Sequence, residues 1–338
     1  MLQPGWATAS TILFAAAAFP LSLVLTRLLM SWNFSKGIVG VDVHKLSKPR
    51  IPEMCGASIP ITLVILALGE SLINPELFLP LVAFAGVVAS TATVGVLDDK
   101  LRMRGIYKPL LALLCGLPIL VLGLLFPGEV YNPTLRVPIF GGFHLPLIYP
   151  LSVLVAISVT SNTTNMLDPL NGTMAGSVAI ISGGLLIGLL VRNSAPLPIF
   201  LFASLLFSCL GFYYFNRYPS RAFSGNVGHL AVGGALGAMA ILGRVEIPTI
   251  VAMFPQIQNS FFFLSRIKRF AEHHEILAKP TKVLPDGRLA SSETPEAPLT
   301  LVRTLITRGP ATELEVVHRI FVLFLFSSAL ALVTLALI

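Results

Sequence analysis

Long apolar segments, separated by short polar ones, follow each other along the whole chain. A helix needs about 20 mostly apolar residues to cross the hydrocarbon core of a bilayer. The segments are too long and alternate too little for the strands of a membrane barrel. The pattern therefore predicts an all-α, polytopic integral membrane protein with about ten transmembrane helices, at residues 7–31, 55–73, 77–97, 109–126, 147–164, 174–191, 197–214, 228–243, 247–265 and 316–338.

Composition agrees with this class and adds a domain organisation. Of the 338 residues, 55% are hydrophobic and only 12% are charged, which is far from the usage of soluble domains. We expect a single transmembrane domain over residues 1–338, in a lipid bilayer and without a nucleic-acid partner. Residues 266–315 form the one long connection, which we expect to be partly ordered and to contain a turn at PDGR. Residues 127–146 alternate around Gly-Gly, a pattern that favours a short hairpin.

The basic residues indicate the orientation in the membrane. The loops after the odd-numbered segments, together with Arg319 at the start of the tenth segment, carry 19 Lys and Arg, whereas those after the even-numbered segments carry only Arg136, Arg192 and Arg244. Loops rich in Lys and Arg stay in the cytoplasm. The odd-numbered loops are therefore predicted to be cytoplasmic, and both termini to lie on the non-cytoplasmic side.

These inner loops also gather carboxylates and amides, which an orientation signal does not explain. Asp98 and Asp99 end the third segment, and Asn165, Asp168 and Asn171 follow the fifth. Adjacent carboxylates repel each other unless a cation lies beside them. Mg²⁺ accepts one or two carboxylates and neutral carbonyl oxygens, and completes its shell with water and phosphate oxygens. The mixture of Asp, Asn, Lys and Arg on one face predicts a phosphate-bearing substrate bridged by Mg²⁺, with Mn²⁺ as the alternative ion.

Each signal also has a simpler interpretation. An Asp pair at a helix end is commonly a solvated terminus, Asn-rich turns are common turn chemistry, and Gly233, Gly234 and Gly237 are typical of close helix packing. The segment Phe261–Phe263 either borders a groove for a lipid chain or faces lipid or a neighbouring helix. A transporter is the main alternative class, although it would place ionisable groups inside its spans, where this chain has few. Convergence of the signals on one membrane face favours an enzyme.

Five motifs in order resemble the polyprenyl-phosphate N-acetylhexosamine-1-phosphate transferases. They are IPE.CG after the first segment, GVLDD closing the third, TNMLDPLNG after the fifth, NRYPSRAFSGN after the seventh, and FPQIQN in the ninth. The closing LIT.RGPATEL is similar to the eukaryotic and archaeal branch, which makes dolichyl-diphosphate GlcNAc. The resemblance covers nearly the whole chain.

The resemblance implies transfer of a sugar-1-phosphate, here GlcNAc-1-phosphate, from a UDP-sugar to polyprenyl or dolichyl phosphate, with release of UMP and a need for Mg²⁺. By position, Asp98 and Asp99 match the catalytic aspartate pair and Asn165 a metal ligand. Asn171 matches a residue that binds uracil. The substrate-binding set that the resemblance implies is completed by Lys108, Arg221, Glu53, and, in the basic loop that covers the sugar diphosphate, His273, His274, Lys279 and Lys282.

One position departs from the family pattern. Where the family has F.GD, with a metal-binding Asp, this chain has FSGN and therefore Asn226. A carboxylate attracts a dication more strongly than an amide does. Asp168, three residues after Asn165, matches an Asp of the bacterial branch, and we expect Asp168 and Asn226 to share the ligand role.

The implied pathway and location leave alternatives. The reaction would be the first membrane step of lipid-linked glycan synthesis of the N-glycosylation type, and the alternative is another UDP-N-acetylhexosamine used for a cell-envelope polymer. The site is expected on the cytoplasmic face, of the plasma membrane in a prokaryote or of the endoplasmic reticulum in a eukaryote. A homodimer is left open as the alternative to a monomer.

Overall fold

The computed structural model describes residues 4–167, 170–267, 276 and 278–338, and its described part is mostly helical. Two short 3₁₀ helices, Cys55–Ala57 and Pro75–Leu77, precede α3 and α4. The helices are α1 (Pro4–Ala16), α2 (Ala18–Ser35), α3 (Ser58–Ile73), α4 (Phe78–Leu101), α5 (Tyr107–Leu114), α6 (Leu117–Leu125), α7 (Tyr149–Met166), α8 (Thr173–Val191), α9 (Pro196–Asn216), α10 (Gly225–Leu242), α11 (Glu246–Ala252), α12 (Phe254–Ile267), α13 (Leu301–Leu305) and α14 (Glu313–Ala336).

The predicted all-α membrane class is confirmed. Within the described residues, eight helical segments are long and apolar enough to cross a bilayer. They coincide with eight of the ten predicted spans. The fifth predicted span is α7, whose second half, SVTSNTTNM, is polar. The ninth is divided between α11 and α12, so the number ten and the position of the termini stay predictions.

The division of the ninth segment has a local cause. Pro255 lies in the first turn of α12 and has no N–H to donate to the carbonyl of Val251, and its ring crowds that carbonyl. The chain turns at Met253, whose carbonyl accepts the N–H groups of Gln256 and Ile257. As a result, α11 packs against α14, while α12 lies against the polar end of α7.

Helix α10 is the centre of the molecule, and nearly all of its residues are buried. Its glycines allow α4 and α7 to approach closely: a Cβ on Gly233 would lie 2.4 Å from the Thr160 carbonyl oxygen, and one on Gly234 would lie 2.7 Å from Thr91 Cγ2. A Cβ on Gly237 would meet Thr160 Oγ1 at 2.5 Å. The expected role of these glycines in helix packing is confirmed.

Among the described residues, three short antiparallel hairpins lie in the connections between helices. The predicted hairpin within 127–146 is confirmed as β3 (Thr134–Val137) paired with β4 (Gly141–His144). The sequence did not reveal β1 (Val39–Val41) with β2 (Arg50–Pro52), or β5 (Thr281–Val283) with β6 (Leu289–Ser291). The PDGR sequence forms the turn of the last hairpin, where the Gly287 N–H donates to the Leu284 carbonyl, so the predicted turn is present in the described part of the long connection.

Candidate active site

Asp98 and Lys108 form a buried ion pair. The Lys108 ammonium lies 2.6 Å from Asp98 Oδ2, and both side chains are 3% exposed. The other oxygen, Oδ1, accepts the main-chain N–H of Met103 at 3.1 Å. The pair is therefore buried and closely hydrogen-bonded, which is the condition for two opposite charges to offset their desolvation.

Asp99 lies in a different environment from Asp98, against the amino end of α10. Its two carboxylate oxygens accept the main-chain N–H groups of Asn226, at 2.8 Å, and Val227, at 3.0 Å. The first N–H groups of a helix have no partner within the helix, and the helix dipole stabilises a negative charge there. Asp99 thus joins the end of α4 to the start of α10.

Two glycines leave the space that this contact between Asp99 and the start of α10 needs. Gly95 lies one turn before Asp99 on the same face of α4, and a Cβ there would lie 2.5 Å from Val227 Cα. Gly225 has φ +68°, and a Cβ there would lie 2.9 Å from Asp99 Oδ2. A side chain at either position would move the carboxylate away from the helix end.

The IPE.CG and FSGN motifs are bound to each other through their main chains. Phe223 N–H donates to the Pro52 carbonyl at 2.9 Å, Cys55 N–H to the Phe223 carbonyl at 2.9 Å, and Gly56 N–H to the Ser224 carbonyl at 3.1 Å. Glu53 is thereby placed near Asp99. Burial and, after it, the Asp99 carboxylate raise the pKa of Glu53 above its usual range.

Asn171 belongs to a buried polar network that joins distant parts of the chain. Its Nδ2 donates to Asp42 Oδ2 at 2.9 Å, and its main-chain N–H donates to Glu313 Oε1 at 2.9 Å. Lys45 bonds to Glu313 and lies 3.6 Å from Asp42 Oδ2. The role of Glu313 was not predicted from the sequence, where its only signal was a carboxylate shortly before the last apolar segment.

Three adjoining cavities share one residue, Asn226. The first, of about 240 Å³, is polar and lined by Asp42, His44, Glu53, Asp99, Asn171 and Phe223 among others. The second, of about 230 Å³, is lined by Glu53, Asp98, Asp99, Arg102 and Lys108. The third, of about 300 Å³, is mainly apolar and lined by Val159, Asn165, Met166, Phe263 and Leu264. Phe263 thus borders a groove, whereas Phe261 is 67% exposed.

Some predicted site residues lie elsewhere. Arg221 stacks on Tyr214 and Phe215, with its guanidinium carbon 5.1 and 5.2 Å from their ring centres, and lines a separate cavity with Arg217 and Tyr218. Lys282 pairs with Glu293 on the surface hairpin at 2.9 Å, and Lys279 donates to the Ile276 carbonyl. None of these three lines the cavities around Asn226. The predicted roles of Asp168, His273 and His274 fall outside the described residues.

The oxygen atoms near Asn226 fit a hard dication. Over the described ranges, no group of three His, Cys, Asp or Glu forms a metal cage. Mg²⁺ does not need one, because it retains water and binds through one or two carboxylates plus phosphate oxygens. Glu53 and Asp99 are two such carboxylates and Asn226 adds an amide oxygen. Burial first, and then repulsion by Asp99, raise the pKa of Glu53, and a cation between the two carboxylates would relieve that repulsion.

Eight long apolar helical segments among the described residues, with the buried Asp98 and the half-buried Asp99 at the end of α4, define the class as a polytopic helical membrane protein with a polar site. The glycosyl transferase family 4 profile matches residues 81–244. A putative glycosyltransferase of Methanocaldococcus jannaschii is 32% identical over 82% of this chain and 81% of its own length. The chain therefore belongs to the polyprenyl-phosphate N-acetylhexosamine-1-phosphate transferase family.

Two further relatives carry more specific names. One is a putative UDP-N-acetylglucosamine–dolichyl-phosphate N-acetylglucosaminephosphotransferase of Saccharolobus solfataricus, 26% identical over 71% of this chain and 73% of that protein. Another is a phospho-N-acetylmuramoyl-pentapeptide-transferase of Nostoc punctiforme, 34% identical over 69% of this chain and 63% of that protein. Both names describe enzymes of this family, and membership favours the transferase over the transporter.

Proposed function

We propose that the protein transfers GlcNAc-1-phosphate from UDP-GlcNAc to a polyprenyl or dolichyl phosphate at the cytoplasmic face of its membrane. The observation that carries this proposal is the meeting of three cavities at Asn226. A polar cavity suits a nucleotide, a cavity with carboxylates and cations suits the diphosphate, and an apolar groove suits the isoprenoid. A nucleotide sugar does not enter the bilayer and the lipid phosphate does not leave it, so the two must meet at such a junction.

Each group then has a role in the transfer. An oxygen of the lipid phosphate forms a bond to the phosphorus that carries the sugar, and the bond from that phosphorus to UMP breaks. Asp98 or Asp99 accepts the remaining proton of the lipid phosphate or aligns it, and Lys108 lies beside the phosphates. Asn171 binds the uracil. When bound, Mg²⁺ neutralises the charge of the diphosphate, and Glu53, Asp99, Asn226 and Asn165 are the residues that would hold it, with Asp168 as a further ligand.

The test is UMP release by the purified protein, with UDP-GlcNAc, a polyprenyl phosphate and MgCl₂. We expect release that needs both the lipid phosphate and the divalent ion, and that Asp99→Asn abolishes. The same assay with MnCl₂ in place of MgCl₂ tests Mn²⁺ as the alternative ion. UDP-GlcNAc turnover that is independent of the lipid phosphate would reject the proposal.

The second candidate donor is another UDP-N-acetylhexosamine used for a cell-envelope polymer. The likeness to the phospho-N-acetylmuramoyl-pentapeptide-transferase of Nostoc punctiforme favours it. Parallel assays with UDP-GlcNAc and UDP-MurNAc-pentapeptide distinguish the two. We expect UDP-GlcNAc to be the better donor, because the closing LIT.RGPATEL motif is similar to the dolichyl branch.

A further inference from the structure

The polar cavity of about 240 Å³ contains an aromatic ring, Phe223, and an amide, Asn171. Flat heterocycles stack on aromatic rings and are distinguished by hydrogen bonds along their edges. This inference rests on one part of the proposed function, the binding of a uridine nucleotide, and the heterocycle is then the base of that nucleotide. The orientation of the Asn171 amide then decides which base edges it can bind.

Asp42 fixes that orientation. Its Oδ1 accepts the main-chain N–H of His44 at 3.2 Å, and its Oδ2 accepts Asn171 Nδ2 at 2.9 Å, with the Lys45 ammonium 3.6 Å from the same oxygen. An ionised carboxylate has acceptors only, whereas an amide has one donor end and one acceptor end. The Asn171 amide must therefore turn its nitrogen to Asp42, and the acceptor Oδ1 is the end that remains for a ligand.

The backbone of Asn171 is held as well. Glu313, the first residue of α14, accepts the Asn171 main-chain N–H at 2.9 Å and also bonds to Lys45. Asn171 is only 7% exposed, so its side chain has little freedom to adapt to a different base. Glu313 acts on the main chain and Asp42 on the amide, so that the two carboxylates have separable effects.

We propose that Asp42 is a positioning residue that determines base specificity: it presents the Asn171 acceptor oxygen to the base and so selects uracil over cytosine. Uracil carries an N–H donor at N3, which can donate to that oxygen. Cytosine has a lone pair at N3, which repels the oxygen when the ring occupies the same place. With cytosine in place, Asn171 Oδ1 would be buried without a hydrogen bond and repelled by N3. Binding of the cytosine nucleotide should therefore be weaker by on the order of tenfold or more.

The experiment measures binding of UDP and of CDP to the full-length protein in detergent with MgCl₂, by calorimetry. The wild-type protein should bind UDP about tenfold more tightly than CDP. In Asp42→Asn the new amide can either donate or accept, so Asn171 can turn over, and the UDP/CDP ratio should fall about fivefold or more. Glu313→Gln is the matched control, because it also removes one negative charge beside Lys45 but leaves Asp42 to accept the N–H of the Asn171 amide. The ratio of UDP to CDP affinity in this variant should equal that of the wild type.

A second variant keeps the test decisive if Asp42→Asn does not fold. Asn171→Leu removes the amide, while Asp42 keeps Lys45 as its cationic neighbour. This variant should bind UDP and CDP with nearly equal affinity. Wild-type protein that binds both nucleotides equally, or a folded Asp42→Asn or Asn171→Leu protein that retains the wild-type ratio, would overturn the inference. Protein that prefers UDP but releases no UMP in the transfer assay would reject the proposed function and leave this inference standing.

Discussion

At the scale of single residues, position 226 has the most consequences. Its main-chain N–H holds Asp99, and the residue lines all three cavities of the candidate site. The family's Asp is replaced here by an amide of nearly the same shape. The change removes one negative charge where the site would hold a dication, and leaves the main-chain contact to Asp99 in place.

Restoring the carboxylate should therefore strengthen metal binding. In Asn226→Asp, the added charge contributes about 2 kcal/mol of attraction to a divalent ion 4 Å away even at the dielectric constant of water. We expect activity that is intact or raised, and an Mg²⁺ concentration for half-maximal activity that falls about tenfold or more. Titrating MgCl₂ in the UMP-release assay measures this, with Asn226→Leu as the control that removes the oxygen. A collapse of activity in the Asp variant would contradict the shared ligand role of Asn226.

Glu53 gives a prediction about stability and pH. Because its pKa is raised in the folded protein, first by burial and then by Asp99, its contribution to stability is full below the unfolded pKa and is lost as pH rises through the folded pKa. At a pH above the folded pKa, the ionised side chain thus destabilises the metal-free protein. Glu53→Gln should raise the Tm in EDTA and reduce the Tm gain on adding MgCl₂.

The control for this prediction is Glu129→Gln, which removes the same charge from an exposed position in another loop. That variant should leave both Tm values unchanged. A Glu53→Gln protein that is less stable in EDTA, or that keeps the full gain with MgCl₂, would exclude Glu53 from the metal site. The main-chain hydrogen bonds of residue 53 with Ile38 and Asn33 do not involve its side chain. We therefore expect the loop around residue 53 to keep its fold in Glu53→Gln.

At the scale of secondary-structure elements, the site depends on how closely α4 approaches α10. The crossing is made at Gly95, and Asp99 reaches the amino end of α10 only because the backbones nearly touch there. Bulk at this crossing would separate the two helices and remove the carboxylate from its N–H donors.

Gly95→Ala tests this crossing. The new Cβ would lie 2.5 Å from Val227 Cα, a backbone atom that cannot move alone, so we expect a lower Tm and little UMP release. Gly183→Ala is the matched control, because the nearest atom to its Cβ is Leu206 Cδ1 at 3.8 Å and Ala is favoured over Gly in a helix by about 0.5–1 kcal/mol. Equal loss of activity in the two variants would show that the α4–α10 crossing has no special role.

The sequence predicted the elements better than their contacts. Span positions follow from bilayer thickness, Gly-Gly marked the β3–β4 hairpin, and PDGR marked the turn between β5 and β6 but not its strands. Three-residue strands such as β1 and β2 show no period, and the turn at Met253 depends on local proline geometry. The cation–π contacts that place Arg221 away from Asn226, and the Lys45–Glu313 pair across 268 residues, arise from tertiary packing, which no local pattern encodes.

At the scale of the whole molecule, the proposed function requires the predicted inner loops to lie on one face of the bilayer. Asp98 and Asn165 line adjoining cavities that share Asn226, and the β1–β2 hairpin packs beside them. The β3–β4 hairpin follows the fourth predicted span, whose loop carries a single Arg and is expected on the opposite face.

Cysteine labelling tests this topology. The native cysteines Cys55, Cys115 and Cys209 are buried and should not react with a membrane-impermeant maleimide. Ser47→Cys, in the β1–β2 loop, should react only after cells are opened, whereas Phe140→Cys, which replaces a side chain 76% exposed, should react in intact cells. Labelling of both positions from the same side would contradict the ten-span arrangement.

The main-chain bonding of residues 223–224 to residues 52–56 bears on how such a site diverges during evolution. Amide and carbonyl groups are the same in every residue except proline, so this frame does not depend on which side chain occupies position 226. Lineages can therefore exchange an acid for its amide at position 226, retune ion affinity and donor preference, and still inherit an intact framework for the reaction.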